Sequence, residues 1–342
     1  MQHHAARVLS RAPGIKARKA RFVTACRYTD DMVSHPALIA IDIDGTLLPS
    51  NAVDISLRNR RALASATAAG IEIAIATGRR HLYAAPILER AQLPAGMIVI
   101  TSNGSVTRTL AGDRIDRFTL PIDAARGLSS ALRQFGGATV FTFDHEGPGE
   151  LVVESLEQLH ERIQLWVQAN RESLREIKPL ERAFDAGEAP IQGMICGPVR
   201  AMREAEVWLS GSEFIQQIEV QRTEYPERDL TILDLLPPGC SKGAALARLA
   251  EARGLDSSRV MAIGDNWNDE KMLEWAGHPV VMSNGAPDLV EMAQNCGWRI
   301  APSNDEDGVA QVIEQVIEHL SAERQVSQER PVSRQAGVVE CS

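Results

Sequence analysis

The sequence lacks the apolar run of roughly 18 residues that a membrane-spanning helix needs. It also lacks a secretory signal, because no apolar core of about seven residues follows its positively charged start. No two cysteines lie within four residues of each other, which excludes a CxxC zinc or redox pair. Scattered cysteines of this kind are typical of free thiols in a reducing compartment: Cys26, Cys196, Cys240, Cys296 and Cys341. These absences predict a cytoplasmic protein without a membrane partner.

An excess of positive charge is also missing from most of the chain. The formal net charge is −9, and residues 1–31 hold seven Lys/Arg and two Asp, a balance of +5, which leaves −14 for the rest. An acidic protein of this kind is not expected to bind nucleic acid. A small phosphorylated substrate remains compatible with this balance, because one pocket can be positive within an acidic protein. The sequence does not indicate an oligomeric state.

The two ends of the chain differ in composition from the rest. Residues 1–31 are rich in arginine and contain no acidic residue before Asp30, which resembles an organellar transit peptide. A disordered basic extension is an alternative, and so is a true start at Met32. The opposite end is polar. We expect disordered segments over residues 1–35 and 321–342.

Strand and helix patterns alternate over residues 36–120 and again over 229–320, where Leu230–Leu236 is taken as the first returning strand. Near-continuous apolar strands between helices predict a parallel sheet covered on both faces. Residues 121–228 instead show strands in succession and one long helix over 156–170, which indicates an antiparallel or mixed sheet with helices on one side. The predicted fold class is α/β, with a Rossmann-like parallel-sheet core and an inserted α+β domain of about 108 residues.

Two carboxylates end the first apolar strand. Asp42 and Asp44 stand two residues apart before Gly45-Thr46, and alternate side chains of an extended chain point the same way. The pair is therefore expected to face one pocket, where a divalent cation such as Mg²⁺ would relieve its repulsion. Two turn-forming aspartates at a solvent-exposed strand end are the alternative.

Two further segments offer groups for an anion. Thr77-Gly78-Arg79 follows a strand and enters a helix, which provides a hydroxyl and free backbone N–H groups for a phosphate. Lys242 stands at the predicted start of another helix, where a cation is unfavourable unless it faces an anion. A common helix start and a surface lysine are the corresponding structural alternatives.

A fourth group follows the strand that ends at Gly264. Asp265, Asn268 and Asp269 lie within five residues there. Asp269 is explained equally well as a cap of the next helix, whereas Asp265 at the strand tip has no such role. Because ligands of open parallel sheets bind at the carboxyl ends of the strands, we expect all four segments to meet in one site.

The four segments together resemble the haloacid dehalogenase-like hydrolase superfamily. DIDGTLL, ATGR, Lys242 and GDNWND are similar to its four motifs in order. TSNGS, VMSNGAPDL and NDEDGVA further resemble the Cof-type phosphatases, which carry a large α/β cap domain between the second and third motifs. The resemblance covers about residues 36–320. It departs at Ser283, where the family more often has glycine.

The resemblance implies a role for each matching residue. Asp42 would be the nucleophile that forms an aspartyl-phosphate, and Asp44 the general acid and base, kept protonated by burial and its neighbouring carboxylate. Mg²⁺ would be held by Asp42, the backbone carbonyl of Asp44 and Asp265. Asp269 would orient this site from behind the direct ligands. The remaining assignments are phosphate binding by Thr77, Gly78, Lys242 and Asn268, and a substrate or hinge contact by Arg79, Asn103 and Gly104.

The resulting function is a Mg²⁺-dependent phosphatase that hydrolyses a small phosphorylated metabolite, such as a sugar phosphate. A phosphomutase or phosphotransferase with the same intermediate is an alternative that the motifs do not separate. A non-catalytic ligand-binding module is a further alternative, although all four chemical motifs are intact. Substrate choice is expected to lie in the cap, whose candidate cations can also be ordinary surface charges: Arg175, Lys178, Arg182 and Arg222.

Overall fold

The structure, a computed structural model, describes residues 35–136, 139–159 and 163–329. Apart from His35, the extension expected at residues 1–35 lies outside this part of the chain, and so do residues 330–342. The strands are β1 (Leu38–Ile41), β2 (Glu72–Ala76), β3 (Ile98–Thr101), β4 (Val106–Thr109), β5 (Arg114–Arg117), β6 (Val140–Thr142), β7 (Leu151–Val153), β8 (Leu174–Glu176), β9 (Gln192–Gly197), β10 (Glu219–Tyr225), β11 (Leu230–Leu236), β12 (Val260–Gly264), β13 (His278–Met282) and β14 (Arg299–Ala301). The helices are α1 (Leu57–Ala68), α2 (His81–Arg90), α3 (Ile122–Ala131), α4 (Gln164–Ala169), α5 (Val199–Gly211), α6 (Lys242–Ala252), α7 (Glu270–Trp275), α8 (Pro287–Cys296) and α9 (Gly308–Glu329).

An eight-stranded sheet forms the core domain, in the order β14-β13-β12-β1-β2-β3-β4-β5. The strands from β14 to β3 are parallel, whereas β4 and β5 form an antiparallel hairpin at the edge. The alternating sequence pattern predicted the parallel part correctly. The hairpin was missed because its strands are short and β5 is largely exposed, so neither shows a clear apolar pattern.

Burial on both faces explains the apolar composition of β1. Ile39 and Ile41 belong to one buried cluster, which includes residues of α1, α2 and α9. Leu38 and Ala40 belong to a second cluster on the other face, built with α6, α7 and α8. A central strand covered by helices on both sides has no solvent-facing position for a polar residue. Polar groups are therefore restricted to the strand end, where the site lies.

A second, six-stranded sheet forms the cap domain, in the order β10-β11-β9-β6-β7-β8. Its neighbours are antiparallel except for β7 and β8. The assignment of Leu230–Leu236 to the core was wrong, because β11 pairs with β9 and β10 of the cap sheet. An apolar run of seven residues fits a buried strand of either sheet, so the sequence pattern did not separate the two. The chain returns to the core after β11, not at residue 229.

The expectation of helices on one side of the cap sheet was wrong, because α4 packs on one face and α3 and α5 on the other. α3 and α5 pack there with Phe141, Ile195 and Leu233. The opposite face carries a smaller cluster with β6, β7 and α4. The long helix expected over residues 156–170 is wrong, since a short 3₁₀ turn at Leu156–Gln158 and α4 are the helical pieces described there. Leu159 and Ile163 have the spacing of a helical period, and both belong to this cluster although they are not part of one continuous helix.

The last helix is longer than expected. α9 continues to Glu329, so at least residues 321–329 of the expected disordered tail are helical. Six of the nine residues 321–329 are alanine, glutamate, glutamine or arginine, which favour helical backbone. Among the residues that the structure describes, none of the helices is long and apolar enough to cross a membrane.

Candidate active site

The site lies at the carboxyl ends of the parallel strands, as the sequence predicted. β1 and β12 are neighbours in register, and the backbone N–H of Asp42 donates to the carbonyl of Ile263 at 3.0 Å. Asp42 and Asp265 thus leave adjacent strands side by side. The backbone N–H of Thr77 donates to Ile100 at 2.8 Å, which fixes the second motif at the end of β2. The sheet therefore brings distant parts of the chain to one edge.

Lys242 is the buried cation of this cluster. Its side chain is fully buried, and Nζ donates to Asp42 Oδ1 at 2.6 Å and to Asp269 Oδ1 at 2.7 Å. Ser241 caps α6 by accepting the N–H of Ala244 at 3.0 Å, which sets where Lys242 leaves the helix. Burial disfavours the ammonium, but Asp269 and Asp42 outweigh it and raise the pKa of Lys242. The lysine is therefore charged and committed to two carboxylates, not exposed at the surface.

Asp269 organises the loop after β12. Its Oδ2 accepts the backbone N–H of Asp265 at 3.0 Å and that of Asn266 at 3.1 Å, while Oδ1 accepts from Lys242. A Cβ on Gly264 would lie 2.6 Å from this side chain, so only glycine lets the strand end approach it so closely. With both oxygens occupied, Asp269 holds its neighbours in position.

Asp265 is packed against the first loop. Thr46 Oγ1 donates to Asp265 Oδ1 at 2.9 Å. Gly45 has a φ of +81°, and a Cβ there would lie 2.3 Å from Asp265 Oδ2. Both the left-handed backbone and the close approach require glycine at this turn. The Gly-Thr turn therefore lets Asp265 enter the site beside Asp42.

Two asparagines that the sequence reasoning left without a role fix the same turn. Asn284 Nδ2 donates to the carbonyl of Gly45 at 2.8 Å, and its Oδ1 accepts the N–H of Asn304 at 2.9 Å. Asn304 Nδ2 donates to the carbonyl of Leu48 at 2.8 Å. Both asparagines belong to segments quoted above for the family resemblance. That resemblance was the sequence signal that could have identified them as part of the site. Their position indicates a supporting role for the turn that follows Asp44.

The carboxylates fit a bound cation. Asp42, Asp265 and Asp269 are buried and each offers an oxygen within 4.8 Å of the others. Burial, opposed by Lys242 and reinforced by the neighbouring aspartates, raises the pKa of Asp42 to about 7. Burial and repulsion from Asp42 and Asp269 likewise hold the pKa of Asp265 well above its ordinary value. Lys242 contacts only two of these three carboxylates, so a hard divalent cation with oxygen ligands would relieve the remaining repulsion.

Asp44 differs from the expectation in its environment. Its side chain is 48% exposed, so it is not protected by burial. Arg79 grips it with two hydrogen bonds, from Nε at 2.7 Å and from Nη2 at 2.5 Å. The chain bends immediately after Asp42, which leaves Asp44 at the rim while Asp42 lies inside. In this arrangement Arg79 neutralises a nearby acid, and the substrate or hinge contact expected for it stays a prediction.

A chain of amide hydrogen bonds joins the phosphate-binding candidates to the cap. Asn268 Nδ2 donates to Asn103 Oδ1 at 3.1 Å, and Asn103 Nδ2 donates to Asp234 Oδ2 at 2.8 Å. Asn103 follows β3 in a left-handed conformation with φ 52°, which asparagine tolerates better than most residues. Asp234 belongs to β11 of the cap. The expected hinge residue therefore touches the cap directly.

Gly104 and Thr77 support the site from behind. A Cβ on Gly104 would lie 2.2 Å from the carbonyl oxygen of Ser241, so this glycine allows α6 to approach β3. Thr77 is fully buried, and its Oγ1 accepts the N–H of Arg79 at 3.1 Å. Neither faces open space. Gly104 is a packing position in this arrangement and not a substrate contact.

A cavity of about 430 Å³ lies between this cluster and the cap sheet. Six of the residues predicted from sequence line it: Asp42, Asp44, Gly78, Arg79, Asn103 and Asn268. Cap residues form the opposite wall, and none of the four basic residues suggested for substrate contact is among the lining residues. Arg222, for example, donates to Glu206 at 2.8 Å. Sequence reasoning missed the lining residues Arg80, Gln192, Tyr225 and Asp234, which had no motif to mark them.

Cys240 lies close in sequence to Lys242 but shows no sign of reactivity. It is buried and carries a free thiol, as do Cys196 and Cys296 among the described residues. Burial is the main cause that raises the pKa of Cys240 to about 11, which keeps the thiol protonated at neutral pH. Cys240 is therefore a packing residue beside the site.

Comparison with known proteins agrees with this geometry. The family model for haloacid dehalogenase-like hydrolases matches residues 39–313, which is more than half of the chain. The chain belongs to this family. The predicted family, fold class and enzyme class are thereby confirmed.

The matches to individual relatives extend over most of the length of each relative. The 5-amino-6-(5-phospho-D-ribitylamino)uracil phosphatase YwtE of Bacillus subtilis is 29% identical over 296 residues, which are 82% of this chain and 97% of that protein. The HMP-PP phosphatase of Serratia proteamaculans is 31% identical over 255 residues, or 74% and 85% of the two chains. A haloacid dehalogenase-like hydrolase structure from B. subtilis superimposes with a TM-score of 0.67 at 25% identity, covering 81% of this chain and 99% of that one.

Proposed function

We propose that the protein is a Mg²⁺-dependent phosphatase that hydrolyses a small phosphorylated metabolite through an aspartyl-phosphate on Asp42. One observation carries the proposal. The Asp42 carboxylate is buried beside Lys242 at 2.6 Å, yet Asp42 also lines the cavity that separates core and cap. A carboxyl oxygen that is fixed, desolvated and open to a ligand on one side suits a nucleophile.

Asp42 would attack the phosphorus atom, forming a bond between its carboxylate oxygen and phosphorus while the bond to the leaving oxygen breaks. Asp44, which lines the same cavity, would give a proton to that leaving oxygen. It would then take a proton from the water that attacks the aspartyl-phosphate and releases inorganic phosphate. Proton donation by Asp44 requires its pair with Arg79 to loosen when the substrate binds.

Charge on the phosphoryl oxygens is the main feature such a site must stabilise. Mg²⁺ held by Asp42, the carbonyl of Asp44 and Asp265 would supply positive charge at those oxygens. Gly78 and Asn268 line the cavity and would donate hydrogen bonds to the phosphoryl group. Thr77 and Lys242 are proposed to help hold the phosphoryl oxygens. Lys242 would also favour the ionised form of Asp42.

The substrate is proposed to be small because the cap sheet forms the opposite wall of the cavity and limits its volume. About 430 Å³ accommodates a phosphoryl group and a leaving group of sugar size. The two relatives described above act, by name, on a phosphorylated ribitylamino uracil and on HMP-PP. Both names denote small phosphorylated molecules, which supports the same class here.

Phosphate release by an Asp42→Asn variant tests the proposal. A panel of phosphorylated metabolites is assayed with Mg²⁺, and the best substrate is then compared between wild type and variant. We expect the rate to fall at least about a hundredfold, because the amide is a poor nucleophile. Asp54→Asn is the matched control, since Asp54 is exposed and pairs with Arg90 outside the site. A variant that keeps more than about a tenth of the wild-type rate would refute the assigned nucleophile.

A further inference from the structure

Asp234 on β11 is the one carboxylate among the described cap residues that line the cavity. Its side chain lines the cavity, and the residue is 6% exposed. Oδ1 accepts from Gln192 Nε2 at 2.5 Å, and Oδ2 accepts from Asn103 Nδ2 at 2.8 Å. Both donors are uncharged amides. Within the described part of the chain, no lysine or arginine forms an ion pair with this carboxylate.

Burying a carboxylate without a cationic partner costs folding free energy, so a carboxylate at this place is expected to have a function. An ionised carboxylate has about four sites for accepted hydrogen bonds, and the protein fills two of them. The others have no protein partner among the described residues, and Asp234 lines the cavity. Burial is the main cause that raises the pKa of Asp234 to about 6, so the group is still ionised above neutral pH.

Among the cap residues that the structure describes, none that lines the cavity adds positive charge to balance Asp234. Two arginines line the cavity from the core side, and each is already paired: Arg79 with Asp44 and Arg80 with Glu150. The other lining residues that the structure describes from the cap, such as Gln192, Thr223 and Tyr225, are uncharged. The described part of the wall facing the leaving group is thus neutral or negative.

We propose that Asp234 determines which leaving group the enzyme accepts. Its free lone pairs accept hydrogen bonds from a hydroxyl or amine group of the leaving group, and its charge repels a leaving group that carries a carboxylate or a second phosphate. The preferred substrates are therefore monophosphates of polyols, sugars or amino-bearing compounds. This inference rests on the proposed phosphatase function.

The position of Asp234 fits this selection. Two hydrogen bonds, Asn103 to Asp234 and Asn268 to Asn103, connect the cap with Asn268, which is assigned to the phosphoryl group. A leaving group attached to that phosphoryl group extends toward the cap wall and meets the carboxylate. A hydrogen bond to a charged acceptor changes specificity by roughly tenfold to a hundredfold when it is lost.

Three phosphate esters separate the possibilities. Glucitol 6-phosphate and 6-phosphogluconate have the same length and differ at the far end, where one carries a hydroxymethyl group and the other a carboxylate. p-Nitrophenyl phosphate has a leaving group without a hydroxyl or amine donor beyond the ester oxygen. We expect wild type to prefer glucitol 6-phosphate over 6-phosphogluconate at least about tenfold in kcat/KM, and Asp234→Asn to reduce this preference about tenfold.

The matched control is Asp185→Asn, which makes the same chemical change at an exposed cap residue paired with Arg126. It is expected to keep the wild-type preference. An equal loss on all three esters in Asp234→Asn would overturn the proposal, because Asp234 would then act only by holding Asn103. No preference in wild type would overturn it as well.

If the proposed phosphatase function is wrong, no phosphate is released from any ester, including p-nitrophenyl phosphate. This result differs from the outcomes that would overturn the role of Asp234. The specificity is still measurable in that case through binding. Calorimetric titration of the two six-carbon esters into Asp42→Asn with Mg²⁺ is expected to show the same preference of at least about tenfold in Kd. Equal affinities would refute the role of Asp234.

Discussion

Replacing Asp234 with asparagine should change how the stability of the protein depends on pH. Burial raises the pKa of this carboxyl from 3.8 to about 6 in the folded protein. Below about pH 3.8 the carboxyl is protonated in both the folded and the unfolded chain. As the pH rises toward 6, the unfolded chain loses this proton first, so the folded state is progressively disfavoured.

The size of this effect follows from the two pKa values. Each pKa unit corresponds to about 1.4 kcal/mol, so the change from 3.8 to about 6 corresponds to about 3 kcal/mol. Wild type should lose this amount between about pH 4 and pH 7, whereas Asp234→Asn has no proton to lose there. The amide also leaves one of the two neighbouring donors unsatisfied, at a cost of about 1–3 kcal/mol that does not depend on pH.

Urea unfolding of wild type and Asp234→Asn at several pH values, without divalent cations, measures the difference directly. The free energy of unfolding of the variant relative to wild type should rise by about 3 kcal/mol from pH 4 to pH 8. Asp42 and Asp265 also titrate, but they are present in both proteins and cancel. Parallel stability curves would show that Asp234 is not a desolvated carboxylate, and the reasoning about the cap wall would be wrong.

Two further predictions concern the metal and the packing of the site. EDTA should abolish phosphate release and Mg²⁺ should restore it, while Asp265→Asn should weaken Mg²⁺ binding at least about tenfold by calorimetry; full activity in EDTA would contradict the cation site. Gly104→Ala and Gly254→Ala both place a side chain at positive φ, which costs about 1–2 kcal/mol, but Gly104→Ala also drives a Cβ against Ser241 and should cost about 1–3 kcal/mol more in urea unfolding. Equal losses in the two alanine variants would contradict the close approach of α6.

The local part of the site was predictable from sequence because it depends on strand ends. Apolar runs that stop at Asp42, Thr77 and Asp265 indicate where a parallel sheet presents its carboxyl edge. Lys242 was recognised from its unfavourable place at a helix start. These signals are properties of short segments, so they can be recognised without knowledge of the tertiary structure.

The cap side of the site could not be predicted in the same way. Asp234 lies within an apolar run that suits either sheet, and its importance depends on which strand pairs with it and on what faces it. The environment of Asp44 likewise depends on the bend after β1 and on the reach of Arg79. Both features arise from contacts between segments far apart in sequence, which periodicity does not encode.

The most direct test of the central claim is to find the phosphoryl group on Asp42. Wild type is mixed with its best substrate and Mg²⁺, quenched in acid during turnover, digested and analysed by mass spectrometry. We predict that the peptide containing Asp42 gains the mass of one phosphoryl group, and that this gain is absent from Asp42→Asn. Phosphate release with the phosphoryl group on another residue, or with none on the enzyme at any time during turnover, would contradict nucleophilic catalysis by Asp42.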